Sequence, residues 1–225
     1  GIVCPAETPE GGSVGIVKNL SIMTMVTNMT NSKPVYNKVF NMGLITFDKI
    51  GEGEDSEVKF NEIPKYGKIF INGNWVGIHN DLKKLKEKLI SLRRTAIINI
   101  YTSISWNICN NELYIYTDGG RCTRPLYIVE NNSLRITISD INKLKKGEYK
   151  WINLILKSIN DYNTLNNENY ERTEIKEGVI EYIDVEEAHN QLIAMKQNDL
   201  KSGKNYTHCE IHPSTILGVL ASTIP

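Results

Sequence analysis

The stretch C-P-A-E-T-P-E-G-G-S-V-G-I-V-K-N-L at positions 4–20 constrains what this chain can fold into more than any other. Pro5 and Pro9 fix φ, remove two amide donors and push Cys4 and Thr8 toward extended backbone, so positions 4–9 form a stiff loop and not a helix. Gly11, Gly12 and Gly15 then permit positive φ or the close approach of another backbone. Glu7 and Glu10 stand three residues apart on this rigid support, an arrangement suited to the lip of a site. The plain alternative is a connector that turns the chain and carries two solvated carboxylates.

The far end, H-C-E-I-H-P-S-T-I-L-G-V-L-A-S-T-I-P at positions 208–225, is equally particular. His208, Cys209 and His212 are ligand-type side chains, but they lack a fourth partner and the two-pair spacing of structural zinc. As a nucleophile and base they lack a spacing-specified group to orient the histidine, so a structural role is expected. Pro213 ends the extended part, and positions 214–224 read as a short buried helix in which Gly218, Ala221 and Ser222 permit close packing.

C-P-A-E-T-P-E-G with its following V-K-N-L closely resembles the fork segment of the second-largest subunit of multisubunit DNA-directed RNA polymerases, and the far-end motif resembles the opening of that subunit's hybrid-binding region. Between them, I-N-G-N-W-V-G-I-H at 71–79, the leucine and arginine pattern at 89–94, Y-T-D-G-G-R-C-T-R-P-L at 116–126 and G-V-I-E-Y-I-D-V-E-E-A at 178–188 are similar to the same subunit. Agreement is weakest at 28–65 and 133–176, and its flavour is that of the eukaryotic, archaeal and large-DNA-virus branch.

The resemblance implies an internal fragment of an α+β, mixed and strand-rich subunit: 1–27 finishing the fork, 28–130 and 131–205 forming two external domains, and 206–225 starting the hybrid-binding region. It further implies nucleotidyl transfer from ribonucleoside triphosphates, with Mg2+ in the whole enzyme ligated mainly by the largest subunit and none held by this chain alone. Glu10, the glutamate of P-E-G, would lie near the phosphates of the entering nucleotide. No catalytic residue is carried over. Partners would be the largest subunit, other core subunits, template DNA and nascent RNA. The compartment would be the nucleus for a cellular eukaryotic enzyme, and the host cytoplasm or virion for a viral one.

With 225 residues and 40% hydrophobic content the chain can bury a real core. Its formal net charge of zero removes the global basic field of an autonomous nucleic-acid binder, so contacts with nucleic acid would be local. The four cysteines form no C-x-x-C pair, which favours a reducing compartment. No apolar stretch approaches the length needed to span a bilayer, so no membrane partner is expected.

Along the chain, the apolar run at 14–25 reads as a buried strand. The acidic cluster at 51–57 reads as a solvated loop. Ile69, Phe70 and Ile71 lead through Asn72-Gly73 to Trp75, Val76 and Ile78, a hairpin, with His79 as a hydrogen-bonded structural residue. Asn80 or Asp81 caps a helix with Leu82, Leu85, Leu89 and Leu92 on one face and six basic residues, Arg93 and Arg94 among them, over the solvated remainder. A second hairpin runs from Ile98 through Trp106 and Asn110-Asn111 to Thr117. Arg121 and Arg124 are expected to pair with carboxylates, before a short strand at 126–129.

Positions 131–172 are polar apart from a helix carrying Ile152, Ile155, Leu156 and Ile159. A strand at 178–183 leads to a short helix capped by Asp184, with Glu187 three residues on. Positions 196–204 read as a charged linker. Two rival functions stand beside the polymerase reading: a non-catalytic protein-interaction module, favoured by neutral charge and many strands, and a metal-dependent hydrolase using Glu7, Glu10 and His208.

Overall fold

The apolar run at 14–25 does not extend into a strand. The computed structural model, which describes residues 1–52, 56–156 and 177–224, shows a 3-10 turn at Gly11–Ser13 and further turns after it. Apart from an isolated bridge of Leu20 to Val3, strand pairing resumes with the short strand β1, Met25–Val26. Gly11 and Gly15 adopt φ of 79° and 75°, so the backbone turns where a strand would have to extend. Val14, Ile16, Val17, Leu20 and Ile22 are consequently exposed in the described structure rather than buried.

The chain divides into two compact units, Gly1–Thr27 with Arg121–Pro225, and Asn28–Gly120. In the second unit, helix α1 (Lys33–Asn41) precedes strands β2 (Gly67–Ile71) and β3 (Asn74–His79), helix α2 (Leu82–Arg94), and strands β4 (Ser103–Asn107) and β5 (Glu112–Tyr116). The sheet order is β3-β2-β5-β4, with β2 and β5 parallel and the two hairpins antiparallel. Asn72 and Gly73 at φ of 49° and 81° make the tight turn expected of them. Asn72 also locks β5, accepting from the Thr117 amide at 2.7 Å and donating to its hydroxyl at 2.9 Å.

The β2–β3 register slips between Ile69 and Phe70, a bulge in the hairpin. Gly77 lies beside it at φ 156°, where a Cβ would come within 2.4 Å of the Ile45 carbonyl oxygen. That closeness lets residue 45 bridge Ile78. Alternation places Ile69, Ile71, Leu113, Ile115 and Ile104 on the face covered by α1 and α2. Leu82, Leu85 and Leu89 of α2 are buried there, each stabilising the unit by about 1.5–3 kcal/mol. The Asp81 carboxylate caps the helix by accepting from the Lys84 amide at 3.0 Å. Arg93 departs from expectation: it is buried, and its guanidinium donates to the Thr102 carbonyl at 2.8 Å. Position 93 falls four residues after Leu89, on the packed stripe and not the solvated face.

In the first unit strand β6 (Cys122–Glu130) is the axis. It is longer than the strand expected at 126–129. After it come the short strand β7 (Ser133–Leu134), helices α3 (Ile138–Lys145) and α4 (Trp151–Ile155), strand β8 (Ile180–Asp184), helix α5 (Val185–Ala188), strands β9 (Ile193–Ala194) and β10 (His208–Cys209), and helix α6 (Val219–Ser222). Strand β8 pairs with β6 from Thr123 to Tyr127. Strand β1 pairs at Thr123 and Cys122, and β10 at Ile128 and Tyr127. Pro125, which has no amide donor, stands in the interval between the β1 and β10 registers.

The expected cap of α5 is present, Asp184 accepting from the Glu187 amide at 2.9 Å. The helix expected to carry Ile152, Ile155, Leu156 and Ile159 is the shorter α4: Ile155 is buried, but Ile152 is exposed and Leu156 is already extended and bridged to Glu177, while Ile159 lies outside the described residues. Helix α3 falls in the stretch that reads as polar, ahead of the expected helix, and is opened by a Thr137–Asp140 capping box. Part of the acidic cluster, positions 53–55, lies outside the described residues. Positions 196–204 contain a 3-10 turn, Gln197–Ser202, rather than an open linker. No helix of the described residues is long and apolar enough to cross a membrane.

Candidate active-centre lip

The two end motifs come together within the first unit. The loop carrying Glu7 and Glu10 is closed at its base: the Cys4 amide donates to the Asn19 carbonyl at 2.8 Å, Val3 bridges Leu20, and the Ser21 amide donates to the Ile2 carbonyl at 2.9 Å. The far-end motif docks on that base. Ser21 Oγ donates to the Ile216 carbonyl at 2.8 Å, and the Ile22 amide to the Leu217 carbonyl at 2.8 Å. A cavity of about 370 Å³ lies between the motifs, lined by Val3, Pro5, Arg124, Ile193, Glu210 and Ile216 among others.

The two loop carboxylates have different fates. Glu10 is exposed, with extended backbone (φ −85°, ψ 161°), and opens the 3-10 turn. Glu7 is half-buried and turns inward, its Oε1 accepting from the Ala221 amide at 2.8 Å. The residue before α6 is Gly218, which supplies no capping side chain, and Glu7 serves in its place. The helix expected to be buried over 214–224 is instead a 3-10 turn, Pro213–Ile216, then α6 after a break at Leu217 and Gly218. Val219 and Leu220 are 62% and 69% exposed. An extended Gly218 interrupts the helix, and packing reaches the segment through backbone bonds more than through its apolar side chains.

Behind the loop lies a buried ionic layer. The register pairs Leu126 with Glu181 and Ile128 with His208, so Arg124, Glu181, His208 and Glu210 share one face of the sheet. Arg124 pairs with Glu210, and Arg121 with Asp184 at 2.9 Å, the carboxylate partnership expected for both arginines. His208 Nε2 lies 2.5 Å from Glu181 Oε1, a bracket from β10 to β8 that passes over β6. The Thr207 hydroxyl donates to the Leu192 carbonyl, so it accepts from His208 Nδ1, which leaves Nε2 facing the Glu181 carboxyl.

His208, Cys209 and His212 therefore do not converge. Cys209 lies on the opposite face from His208, and burial, with Glu210 and Asp199 adding to it, pushes its thiol up. His212 Nδ1 accepts from the Ser214 amide at 3.2 Å, fixing the start of the following turn. Among the described residues no three His, Cys, Asp or Glu side chains gather as metal ligands would. His79, in the second unit, is held structurally as expected. The Asp81 amide donates to Nδ1 at 2.9 Å, so Nε2 carries the proton and donates to the Met42 carbonyl at 3.1 Å.

Family models for RNA polymerase Rpb2 domain 3, domain 4 and domain 5 match residues 1–26, 69–130 and 175–213 in turn. The RPB2 subunit of DNA-directed RNA polymerase II from Encephalitozoon cuniculi is 39% identical over 233 residues, taking in 100% of this chain and 18% of the relative. Subunit 2 of the same polymerase from Arabidopsis thaliana is 39% identical over 238 residues, with the same coverage. The Saccharolobus solfataricus subunit Rpo2 is 32% identical over 231 residues, again with 100% of this chain and 18% of the relative. The chain thus spans about a fifth of the length of the curated relatives it matches. Three domain models in succession, together matching more than half of the chain, and relatives aligned along all of it show that it belongs to the Rpb2 family, the second-largest subunits of DNA-directed RNA polymerases.

Proposed function

We propose that this chain is part of the catalytic core of a DNA-directed RNA polymerase and forms one lip of its active centre, with Glu10 beside the phosphates of the entering ribonucleoside triphosphate. The observation that carries this reading is the convergence of the two end motifs, which leaves Glu10 exposed on a stiff loop while the layer behind it is buried and ion-paired. A carboxylate beside a triphosphate has the same sign of charge. Its useful role is therefore to hold hydrogen-bond donors, cationic side chains or water, in register with the phosphate oxygens, a contribution of positioning.

Mg2+ supplies charge neutralisation in phosphoryl transfer by such enzymes. The described residues here do not form a ligand set for it, and it belongs with the largest subunit. The remaining core subunits, template DNA and nascent RNA are the partners of the whole enzyme. Regions 1–27, 28–130, 131–205 and 206–225 then correspond to the end of the fork, two external domains and the start of the hybrid-binding part. RNA polymerase II relatives support a nuclear enzyme.

The test is elongation by a reconstituted polymerase carrying Glu10→Ala, measured across nucleotide concentrations. Elongation at limiting nucleotide should fall about tenfold or more, in line with the cost of misplaced reacting groups. Unchanged kinetics at every concentration would remove Glu10 from the site.

A further inference from the structure

Glu7 and Gly218 fit one another across a separation of more than two hundred residues. Glu7 Oε1 accepts from the Ala221 amide at 2.8 Å. A Cβ built on Gly218 would stand 2.4 Å from that same oxygen and 2.9 Å from the carboxyl carbon. Gly218 has φ −79° and ψ 179°, extended backbone open to any residue, so what glycine provides here is room for the carboxylate and not conformational freedom. The bonds of Ser21 and Ile22 to residues 216 and 217 fasten the base of the loop, whereas Glu7 fastens it partway to its tip.

We infer that Glu7 is a positioning residue: its carboxylate, seated over Gly218 and bonded to Ala221, holds the loop that carries Glu10 at a fixed height above the far-end motif. This rests on the reading that Glu10 serves the entering nucleotide. Thr8 and Pro9 make the connection stiff, since Pro9 fixes its own φ and keeps Thr8 extended. Three residues of such backbone transmit a shift of Glu7 to Glu10 instead of absorbing it.

The experiment uses complete polymerase reconstituted with the full-length subunit carrying Glu7→Ala, Glu7→Gln, Gly218→Ala or Glu10→Ala, with nucleotide KM and kcat measured during elongation and subunit stoichiometry checked for each. Glu7→Ala and Gly218→Ala should each raise nucleotide KM roughly 3- to 10-fold, the worth of one hydrogen bond, with kcat less affected. Gly218→Ala adds one methyl and leaves Glu7 in place, so it tests the same contact if Glu7→Ala fails to assemble. Glu7→Gln keeps an acceptor oxygen at the same reach and should stay within about twofold of wild type. In a Glu10→Ala background, Glu7→Ala should add nothing further.

Wild-type kinetics for Glu7→Ala and Gly218→Ala alongside an impaired Glu10→Ala would overturn the positioning role alone. Glu7→Gln as damaging as Glu7→Ala would mean that the charge acts directly, and additive effects of Glu7→Ala and Glu10→Ala would mean that Glu7 acts apart from Glu10; either result overturns it. If Glu10→Ala is itself silent, the nucleotide reading fails first and the positioning role falls with it.

Discussion

Replacing His208 by leucine should loosen the first unit selectively. The His208 and Glu181 side chains are 3% and 4% exposed and lie 2.5 Å apart beside Leu126 and Ile128, on the face that also carries the Arg124–Glu210 pair. Taking away the imidazole leaves the carboxylate buried without it, and breaking a buried pair from one side costs about 3–5 kcal/mol. Glu181→Leu leaves the imidazole nitrogen without its carboxyl partner, a loss of about 1–3 kcal/mol for a hydrogen-bonding group left buried. The double variant His208→Leu with Glu181→Leu removes both polar groups and should recover most of the loss, because well-packed apolar replacements of buried pairs are often neutral.

Amide hydrogen exchange read by peptide mass spectrometry separates the two units. A loss of about 3 kcal/mol speeds exchange through opening of β6, β8 and β10 roughly 100-fold, a tenfold change for each 1.4 kcal/mol. Peptides from β2 and β5 should keep wild-type protection. Equal loss in both units, or a double variant no better than His208→Leu, would refute the reasoning that the pair is a local bracket across β6.

Two further outcomes follow from the titrating groups. Tyr114 donates to Glu112 at 2.7 Å, which pushes the phenol from 10.0 to about 12, while the same bond holds the Glu112 carboxyl below its ordinary 4.5. Protonated Tyr114 is thus favoured by the fold: its contribution is complete below pH 10 and lost as pH rises toward about 12, whereas the Glu112 contribution is present above pH 4.5 and lost as pH falls through the lowered value. Glu112→Gln should bring the Tyr114 phenolate absorbance midpoint back toward 10.0, and an unmoved midpoint contradicts the assignment. Cys109 is exposed and Cys209 buried with its thiol pushed up, so a thiol reagent at pH 8 should label Cys109 well before Cys209; equal rates would contradict the placement of β10.

Much of this fold was legible where local chemistry decides the outcome. Asn72-Gly73 announces a turn needing two positive φ angles, Asp81 announces a cap, and Leu82, Leu85 and Leu89 announce a buried stripe. Arg93 was misjudged because charge was weighed over position, although its spacing from Leu89 already put it on that stripe. The run at 14–25 misled for the opposite reason: its apolar residues suggested a strand, but Gly11 and Gly15 turn the backbone first. The Thr137–Asp140 box signalled α3 beneath a polar composition. Of the candidate site, the stiffness of the Glu10 loop could be read from Pro5 and Pro9. The inward turn of Glu7 could not, since its partner Ala221 is distant in the chain and Gly218 is informative only once a carboxylate is seen over it.

The central claim, that the loop bearing Glu10 borders a polymerase active centre, is tested most directly by supplying the whole reconstituted polymerase with Fe2+ in place of Mg2+ and mapping hydroxyl-radical cleavage of the second-largest subunit. The account predicts cuts at residues 7–12 and at the docked segment 214–220. Cleavage elsewhere in the subunit with both of these segments intact would contradict it.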